Sequence, residues 1–209
     1  MTKPWYVVAS LLLCELCVIL VLIPGNWMQQ QLLKEAEYTK STLGVETRDW
    51  IHEKANGWFD ALIVQSGFYE EMYRTVIPTE KEKQKSRGME KMGHDWFVWL
   101  DGRMTAALTA FYHFLTRCAL LLAWLPYMLL LLLPAIYDGL MSWKIKRTNF
   151  DYASPVMHRY SVRGSTILVI CLFITFLAPI AFTPMLIPIT MMIACVFLGI
   201  AMGNVQKRV

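Results

Sequence analysis

Two ionisable residues lie in or beside long apolar runs, where charged groups are costly. Glu15 falls near the middle of the run 5–23, and Arg117 directly precedes the run 118–137. His113 comes four residues before Arg117, so both side chains lie on one face of a helix. Ionisable side chains within a membrane are rare and often functional. The chemistry that this set could support is the passage of a proton or ion, or a polar contact that holds helices together.

The two interpretations of Glu15 require different residues in the rest of the chain. A helical rise of about 1.5 Å per residue places Glu15 about 12 Å deeper in a membrane than Arg117. A transporter needs polar groups in several spans, whereas the last two apolar runs carry almost none beyond Ser, Thr and Cys. We therefore interpret Glu15 and Arg117 as an intramembrane polar contact, within one chain or between subunits. A small-solute or proton pathway through Glu15, His113 and Arg117 is the alternative.

Other reactive side chains show no pattern of a catalytic or metal site. All cysteines lie in apolar runs, which argues against a disulfide framework, and the C-x-x-C spacing at Cys14 and Cys17 lacks the strand-to-helix context of a redox motif. No histidine belongs to an H-E-x-x-H motif, and neither a G-x-S-x-G elbow nor a Gly-rich phosphate loop is present. We predict no catalytic, cofactor-binding or metal-binding residues, no cofactor, and a protein that is not an enzyme.

A polar, turn-rich segment separates two of the apolar runs. Basic residues are followed by Tyr152-Ala-Ser-Pro155 and then by His158. The basic side chains suit anionic lipid headgroups, Ser154 can accept a hydrogen bond from a nearby amide, and Pro155 suits a turn or the start of a helix. The segment is either a plain turn at the membrane surface or a docking loop for a partner. The docking loop would consist of Tyr152, Ser154, Pro155 and His158.

The apolar runs themselves set the fold class. The chain is 56% hydrophobic with a mean hydropathy of +0.40, and a membrane-spanning helix needs about 20 apolar residues. The first run carries Glu15 and lacks a small-x-small cleavage site, so we expect an uncleaved anchor and not a signal peptide. We predict an all-α, polytopic membrane protein with four transmembrane helices. The predicted spans are 5–23, 118–137, 166–182 and 185–202.

The positions of Lys and Arg predict the orientation, because cytoplasmic loops carry an excess of them. Lys3, the segment 138–164 and the tail at Lys207-Arg208 are basic. Four spans place all three on the cytoplasmic side, with both termini in the cytoplasm. The predicted divisions are an anchor at 1–23, an extracytoplasmic helical region at 24–103, a long helix with the second span at 104–137, a cytoplasmic basic loop at 138–164, and a transmembrane hairpin with a cytoplasmic tail at 165–209.

The extracytoplasmic region between the first and second spans is predicted to be helical. Helix-forming residues fill 27–38, Leu43-Gly44 indicates a break, and apolar residues then recur at helical spacing from Trp50 towards Pro78. A helical pattern returns at Trp96 and continues without proline into the second span. The tryptophans of this region either pack its helices and anchor them at the interface or form a partner-binding face. That face would consist of Trp50, Trp58, Trp96 and Trp99.

The segment around Tyr152 resembles a signature of a known family. A basic run, an aromatic residue, Tyr152-Ala153-Ser154-Pro155 and His158 occur in this order in inner-membrane proteins of unknown function from integrating conjugative elements and conjugative plasmids. The stretch from Leu32 to Gly44 is similar to an early outside segment of that family. The layout is similar as well, with an N-terminal anchor, an outside helical segment and further spans near the C-terminus.

The resemblance implies a role in DNA transfer between bacteria. It predicts an accessory or scaffold subunit of a type IV secretion system in the bacterial inner membrane, which forms a hetero-oligomer with the membrane part of the coupling ATPase. Membrane lipid is a second expected partner. Direct nucleic-acid binding is not expected, because lipid and topology explain the basic residues beside the membrane more simply than phosphates do. An exclusion or immunity membrane protein is a further alternative.

Overall fold

A computed structural model describes residues 4–23, 25–76, 90–149 and 152–205. Every element within these ranges is helical, which confirms the predicted all-α class. A π-helical turn, Asp60–Val64, extends one of the helices. The helices are α1 Pro4–Leu22, α2 Gly25–Leu43, α3 Val45–Phe59, α4 Phe68–Val76, α5 Glu90–Thr148, α6 Pro155–Leu177 and α7 Leu186–Gly203.

Three of the described helices are long and apolar enough to cross a membrane. They are the part Trp99–Thr148 of α5, the whole of α6 and the whole of α7. α1 covers the predicted first span to within one residue at each end, but it is not among the three. The chain therefore has the features of a membrane protein with several spans. The fourth span, the extracytoplasmic arrangement, the inner membrane and the orientation of the termini stay predictions.

α5 is the longest element, with 59 residues. It begins before the predicted boundary at 104 and continues past 137 to Thr148, so the first part of the predicted basic loop is helical. Lys146 and Arg147 lie in its last turn, where positive side chains interact favourably with the carbonyl end of a helix. This is a physical reason for the helix to continue beyond the apolar run.

The chain forms two compact units, of which the first contains Met1–Ala119 and Leu177–Phe182. Within it, the predicted break at Leu43-Gly44 is confirmed, because Gly44 has φ 90° between α2 and α3. The expected continuation of α3 towards Pro78 is interrupted. The π-helical turn ends at Val64, Gly67 adopts φ 73°, and α4 then begins at Phe68. Positive φ favours glycine, which explains the break at that position.

Aromatic and polar contacts join α3 to α5 within the first unit. Phe59 packs against Phe111 and Tyr112, with ring centroids 6.4 Å and 5.8 Å apart. The Tyr112 hydroxyl donates a hydrogen bond to Asn56 Oδ1 at 2.8 Å and lies 3.4 Å from His52 Nδ1. Burial lowers the pKa of the His52 imidazole, and the nearby positive charge of Arg48 acts in the same direction, against a smaller opposing effect of Asp49. His52 therefore favours its neutral form at this contact.

The second unit contains Leu120–Phe176 and Thr183–Val209, and α7 contacts both α5 and α6 there. Gly139 of α5 lies against Gly199 and Met202, and Ser142 lies against Gly203. Residue numbers rise together along these two helices, so α5 and α7 run parallel. In α6, Gly164 lies against Phe197, and His158 bonds to Ala201. The order is reversed there, so α6 and α7 are antiparallel.

Gly139→Ala is expected to weaken the packing of α5 against α7. A Cβ atom at this position would lie 2.9 Å from Met202 Cβ and 3.1 Å from the Gly199 carbonyl oxygen, so the backbones must separate. Overpacking of this kind costs about 1–3 kcal/mol. Gly102→Ala is the matched control in the same helix, because nothing lies within 4 Å of its added Cβ, and it is expected to raise stability slightly. Thermal unfolding of both variants in detergent tests this, and equal midpoints would contradict the close contact.

Candidate functional site

A buried ionic cluster in the first unit joins α2 to α5. Glu35, His113 and Arg117 are 6%, 2% and 0% exposed. His113 Nε2 donates a hydrogen bond to Glu35 Oε2 at 2.7 Å. Arg117 binds the same carboxylate through Nε, 3.1 Å from Oε1, and through Nη2, 3.0 Å from Oε2. This two-pronged contact is the strong form of an arginine–carboxylate pair.

Arg117 also holds the connection between α6 and α7. Its Nη1 donates to the Ala178 carbonyl at 2.8 Å, and its Nη2 donates to the Ile180 carbonyl. The guanidinium lies over the Phe182 ring, 4.8 Å from the centroid. One side chain therefore satisfies a carboxylate, two backbone carbonyls and an aromatic face, which offsets the cost of burying its charge.

α2 contributes two further contacts to the same connection. The Ala181 amide donates to Gln31 Oε1 at 3.2 Å, and Trp27 Nε1 donates to the Pro179 carbonyl at 3.1 Å. We call the connection 178–182 with its three binding side chains, Trp27, Gln31 and Arg117, the loop clasp. No residue of the connection 178–182 is charged; the charge that secures it comes from Arg117 of α5.

Glu35 was not singled out from the sequence, although a local signal exists. Met28, Gln31, Glu35 and Thr39 are all buried, and their spacing of three and four residues defines one face of α2. Three of the four are polar, and Thr39 Oγ1 donates to the Glu35 carbonyl at 2.8 Å. Considered alone, a polar stripe on one face of a helix indicates a surface exposed to solvent. Only the position of Arg117, 82 residues away, explains its burial.

Glu15, the other member of the predicted intramembrane contact, lies in α1. Its Oε2 is buried and accepts no hydrogen bond from any residue that the structure describes. A direct ion pair between the two stays a prediction. The described residues contain no group of three His, Cys, Asp or Glu side chains that could hold a metal ion.

The predicted docking loop lies in the second unit, where Asn204 fixes it. Asn204 Oδ1 accepts hydrogen bonds from the Ser154 amide at 3.3 Å and from Lys146 Nζ at 3.0 Å. His158 Nδ1 donates to the Ala201 carbonyl at 2.8 Å. Two of the predicted docking residues thus bind the C-terminal part of α7, while Tyr152 is 79% exposed.

The local sequence explains how the docking loop ends. Pro155 is the first residue of α6, where its missing N–H costs nothing. Ser154 Oγ accepts a hydrogen bond from the Met157 amide at 3.4 Å, the arrangement of a helix N-cap. The loop therefore passes directly into a capped helix, and its backbone is fixed on the C-terminal side of Tyr152.

Two of the four predicted partner-face tryptophans lie on α3 and two on α5. Trp96 and Trp99 of α5 stack with centroids 5.2 Å apart, and both are exposed. Trp50 lies on α3, where the Lys54 ammonium is 5.9 Å from its ring centroid, and Trp58 is half-buried. In the described part of the chain no ring contact joins the α3 pair to the α5 pair. A single continuous face from all four stays a prediction.

Arg103 connects the Trp99 ring to the end of α1. Its guanidinium lies 5.7 Å from the Trp99 centroid, and its Nη1 donates to the carbonyls of Val21 and Ile23 at 3.0 Å and 3.1 Å. These carbonyls belong to the C-terminal end of α1, where positive charge is favourable. The exposed tryptophan stack is thus anchored to two helices.

One comparison with known proteins gave a match. A family model described as DtrJ-like, IncC plasmid conjugative DNA transfer protein DtrJ-like, matches residues 22–207. No curated protein and no solved structure matches the chain. The matched range includes α2 to α7, with the ionic cluster, the loop clasp and the docking loop. It confirms the resemblance to a family of conjugative transfer proteins.

Proposed function

Because the chain belongs to the DtrJ-like family of conjugative DNA transfer proteins, we propose that it is a scaffold subunit of a type IV secretion apparatus in the bacterial inner membrane. Its partner would be the membrane part of the coupling ATPase, which it would position and hold. The scaffold carries out no chemical reaction of its own. Its spans would pack beside the anchor helices of the ATPase, and the docking loop would bind near the cytoplasmic stem.

The observation that carries this proposal is the fixed docking loop. Contacts of Ser154 and His158 with α7 hold its backbone, and Tyr152 remains 79% exposed beside them. A binding site whose backbone is ordered beforehand loses less conformational entropy on association. Tyrosine is also among the residues that dominate protein interfaces, because it buries a large ring and offers a hydroxyl. An exposed tyrosine on an ordered loop thus suits partner capture.

The uncovered surface of the spans supports the same proposal. Only 11% of the most apolar stretch is buried in α5 and in α6, and 17% in α7. The chain's own helices therefore leave most of this surface to lipid or to other subunits. Small residues such as Gly139 and Gly199 already pack α5 against α7, as is typical of membrane helix contacts.

One observation favours a second candidate, the small-solute or proton pathway. The buried Oε2 of Glu15 accepts no hydrogen bond from the described residues, and unpaired intramembrane carboxyl groups often carry protons. Against a pathway, the Arg117 guanidinium is held by Glu35 and by two carbonyls of the loop clasp. A residue bound at so many points is suited to a fixed structure and not to a cycle of release and capture.

Glu15→Gln separates the scaffold from the pathway. If the protein is a scaffold, this variant is expected to support DNA transfer at close to the wild-type frequency, because the amide keeps the shape of the carboxyl and its hydrogen-bonding capacity. Transfer frequency and the amount of protein in the membrane are measured together. Loss of transfer with a normal amount of protein and an intact complex with the ATPase would contradict the scaffold and favour the pathway.

Deleting the gene from donor or recipient tests the third alternative. A scaffold of the transfer apparatus acts in the donor, so deletion there is expected to abolish transfer and deletion in the recipient to have no effect. An exclusion or immunity protein would give the reverse result, with increased transfer into a recipient that lacks it. Complementation in the donor with the full chain is the control for effects on neighbouring genes.

A further inference from the structure

Two arginines on adjacent turns of α6, which the proposed function does not use, line a cavity next to the docking loop. Arg159 and Arg163, together with Tyr160, Pro155 and Val156, line an open cavity of about 310 Å³. This volume lies within the range of roughly 300–1,000 Å³ of small-molecule sites. The three polar side chains are exposed, so a ligand can approach them from outside the unit.

The helix orientation separates this cavity from the contacts that fix α6. His158 and Gly164 contact α7, and Ser161 between them is buried. With 3.6 residues per turn, Arg159 and Arg163 lie on a different face from these three. The two arginines therefore take no part in the contacts that hold the docking loop, and they can be replaced without disturbing those contacts.

The positive charges at the cavity have no acidic partner within the part of the chain that the structure describes. Among the residues that the structure describes, no carboxylate forms an ion pair with Arg159 or Arg163. Like charges four residues apart on a helix repel each other. An anion bound between the two guanidinium groups would remove this repulsion. Arginine is particularly suited to phosphate, because its planar fork of N–H groups binds two oxygens at once.

The position of the cavity along α6 indicates which kind of phosphate group lies near it. Arg163 lies three residues before Thr166, about 4.5 Å along the helix, and no charged residue occurs from 166 to 177. The guanidinium groups are thus at the boundary of the apolar part of α6, the depth of a lipid headgroup. Ile167, one turn after Arg163, is 60% exposed and extends the same face into the apolar region. Basic pockets at the ends of membrane helices bind anionic headgroups.

We propose that Arg159 and Arg163 bind the phosphate of an anionic phospholipid of the phosphatidylglycerol class. The two guanidinium groups hold the phosphate oxygens, and the Tyr160 hydroxyl is placed to donate a further hydrogen bond. An acyl chain lies along the apolar face that begins at Ile167. The bound lipid fixes the depth of α6 in the membrane and, with it, the height of the docking loop that precedes Pro155.

Native mass spectrometry of the full-length protein in detergent, titrated with phosphatidylglycerol or phosphatidylcholine, tests this. The wild type is expected to prefer phosphatidylglycerol. The double variant R159Q/R163Q is expected to bind it about 30-fold more weakly, or about 2 kcal/mol at 1.4 kcal/mol per factor of ten. R159K/R163K keeps the positive charges but loses the planar forks of N–H groups. Its affinity for phosphatidylglycerol is therefore expected to lie between those of the wild type and R159Q/R163Q.

K144Q/R147Q is the matched control. It removes the same charge from exposed positions near the end of α5, outside the cavity, and is expected to weaken phosphatidylglycerol binding much less than R159Q/R163Q does. An equal loss in this control would mean that diffuse attraction explains binding, and would overturn the site. R159K/R163K decides the question if R159Q/R163Q does not fold, because equal binding by the lysine pair and the wild type would exclude the arginine fork.

Two further outcomes would also overturn the proposal. Displacement of phosphatidylglycerol by millimolar inorganic phosphate, with no contribution of the acyl chains, would indicate a site for a soluble anion. Unchanged lipid binding in R159Q/R163Q, together with loss of ATPase capture from membranes, would show that this face binds an acidic segment of a protein. Lipid binding and ATPase capture are measured separately, so either result is distinguishable from a failure of the scaffold proposal.

Discussion

Glu35→Gln is expected to destabilise the protein by about 3–5 kcal/mol, the usual cost of breaking a buried ion pair by removing one partner. The amide keeps the size of the side chain but leaves the fully buried Arg117 without its carboxylate. His113 loses the same acceptor. We expect a lower thermal midpoint in detergent, less protein in the membrane and, as a consequence, less DNA transfer.

Glu37→Gln is the control for this change. It removes the same charge two residues further along α2, from an exposed position, and exposed charges contribute little to stability. The double variant E35Q/R117Q adds a second test. Because the two groups share one contact, its loss of stability is expected to be smaller than the sum of the single losses. Strictly additive losses, or equal midpoints for Glu35→Gln and Glu37→Gln, would contradict the cluster.

Tyr152→Ala is expected to reduce capture of the coupling ATPase by on the order of 30-fold or more, as for an interface residue that contributes about 2 kcal/mol. The thermal midpoint should remain that of the wild type, because a ring that is 79% exposed contributes little to the fold. Capture is measured by recovery of the ATPase with tagged protein from gently solubilised membranes. DNA transfer should fall with it.

Tyr137→Ala is the matched control for Tyr152→Ala. Tyr137 lies in α5, in the same unit, and is 62% exposed, so the variant removes an exposed ring of the same kind away from the docking loop. It is expected to reduce ATPase capture much less than Tyr152→Ala does. Normal capture by Tyr152→Ala would exclude this tyrosine as the anchor, and loss of capture in both variants would indicate a general effect on the membrane part of the protein.

Much of the fold is encoded locally and follows from the sequence. The apolar runs predict helices because only helices satisfy every backbone group within lipid. The break at Gly44 and the start of α6 at Pro155 follow from the backbone preferences of single residues. The continuous helix from Trp96 into the second span is predicted by its spacing and is present in α5.

The ionic cluster could not be predicted in the same way, because it depends on contacts between distant parts of the chain. Glu35 and Arg117 are 82 residues apart, and nothing in the spacing of either selects the other. Glu15 was the conspicuous carboxylate because it interrupts an apolar run, whereas Glu35 lies in a polar helix with other charged residues. The docking loop illustrates the same point, since Asn204, which fixes Ser154, is 50 residues further along the chain.

The most direct test of the scaffold proposal is affinity purification of the tagged wild-type protein from gently solubilised membranes of donor bacteria, with mass spectrometry of the proteins recovered. We predict recovery of the coupling ATPase, and its absence in a parallel purification of Tyr152→Ala from membranes that contain the same amount of the tagged protein. Recovery of the tagged protein as a homo-oligomer, without the ATPase, would contradict the proposal.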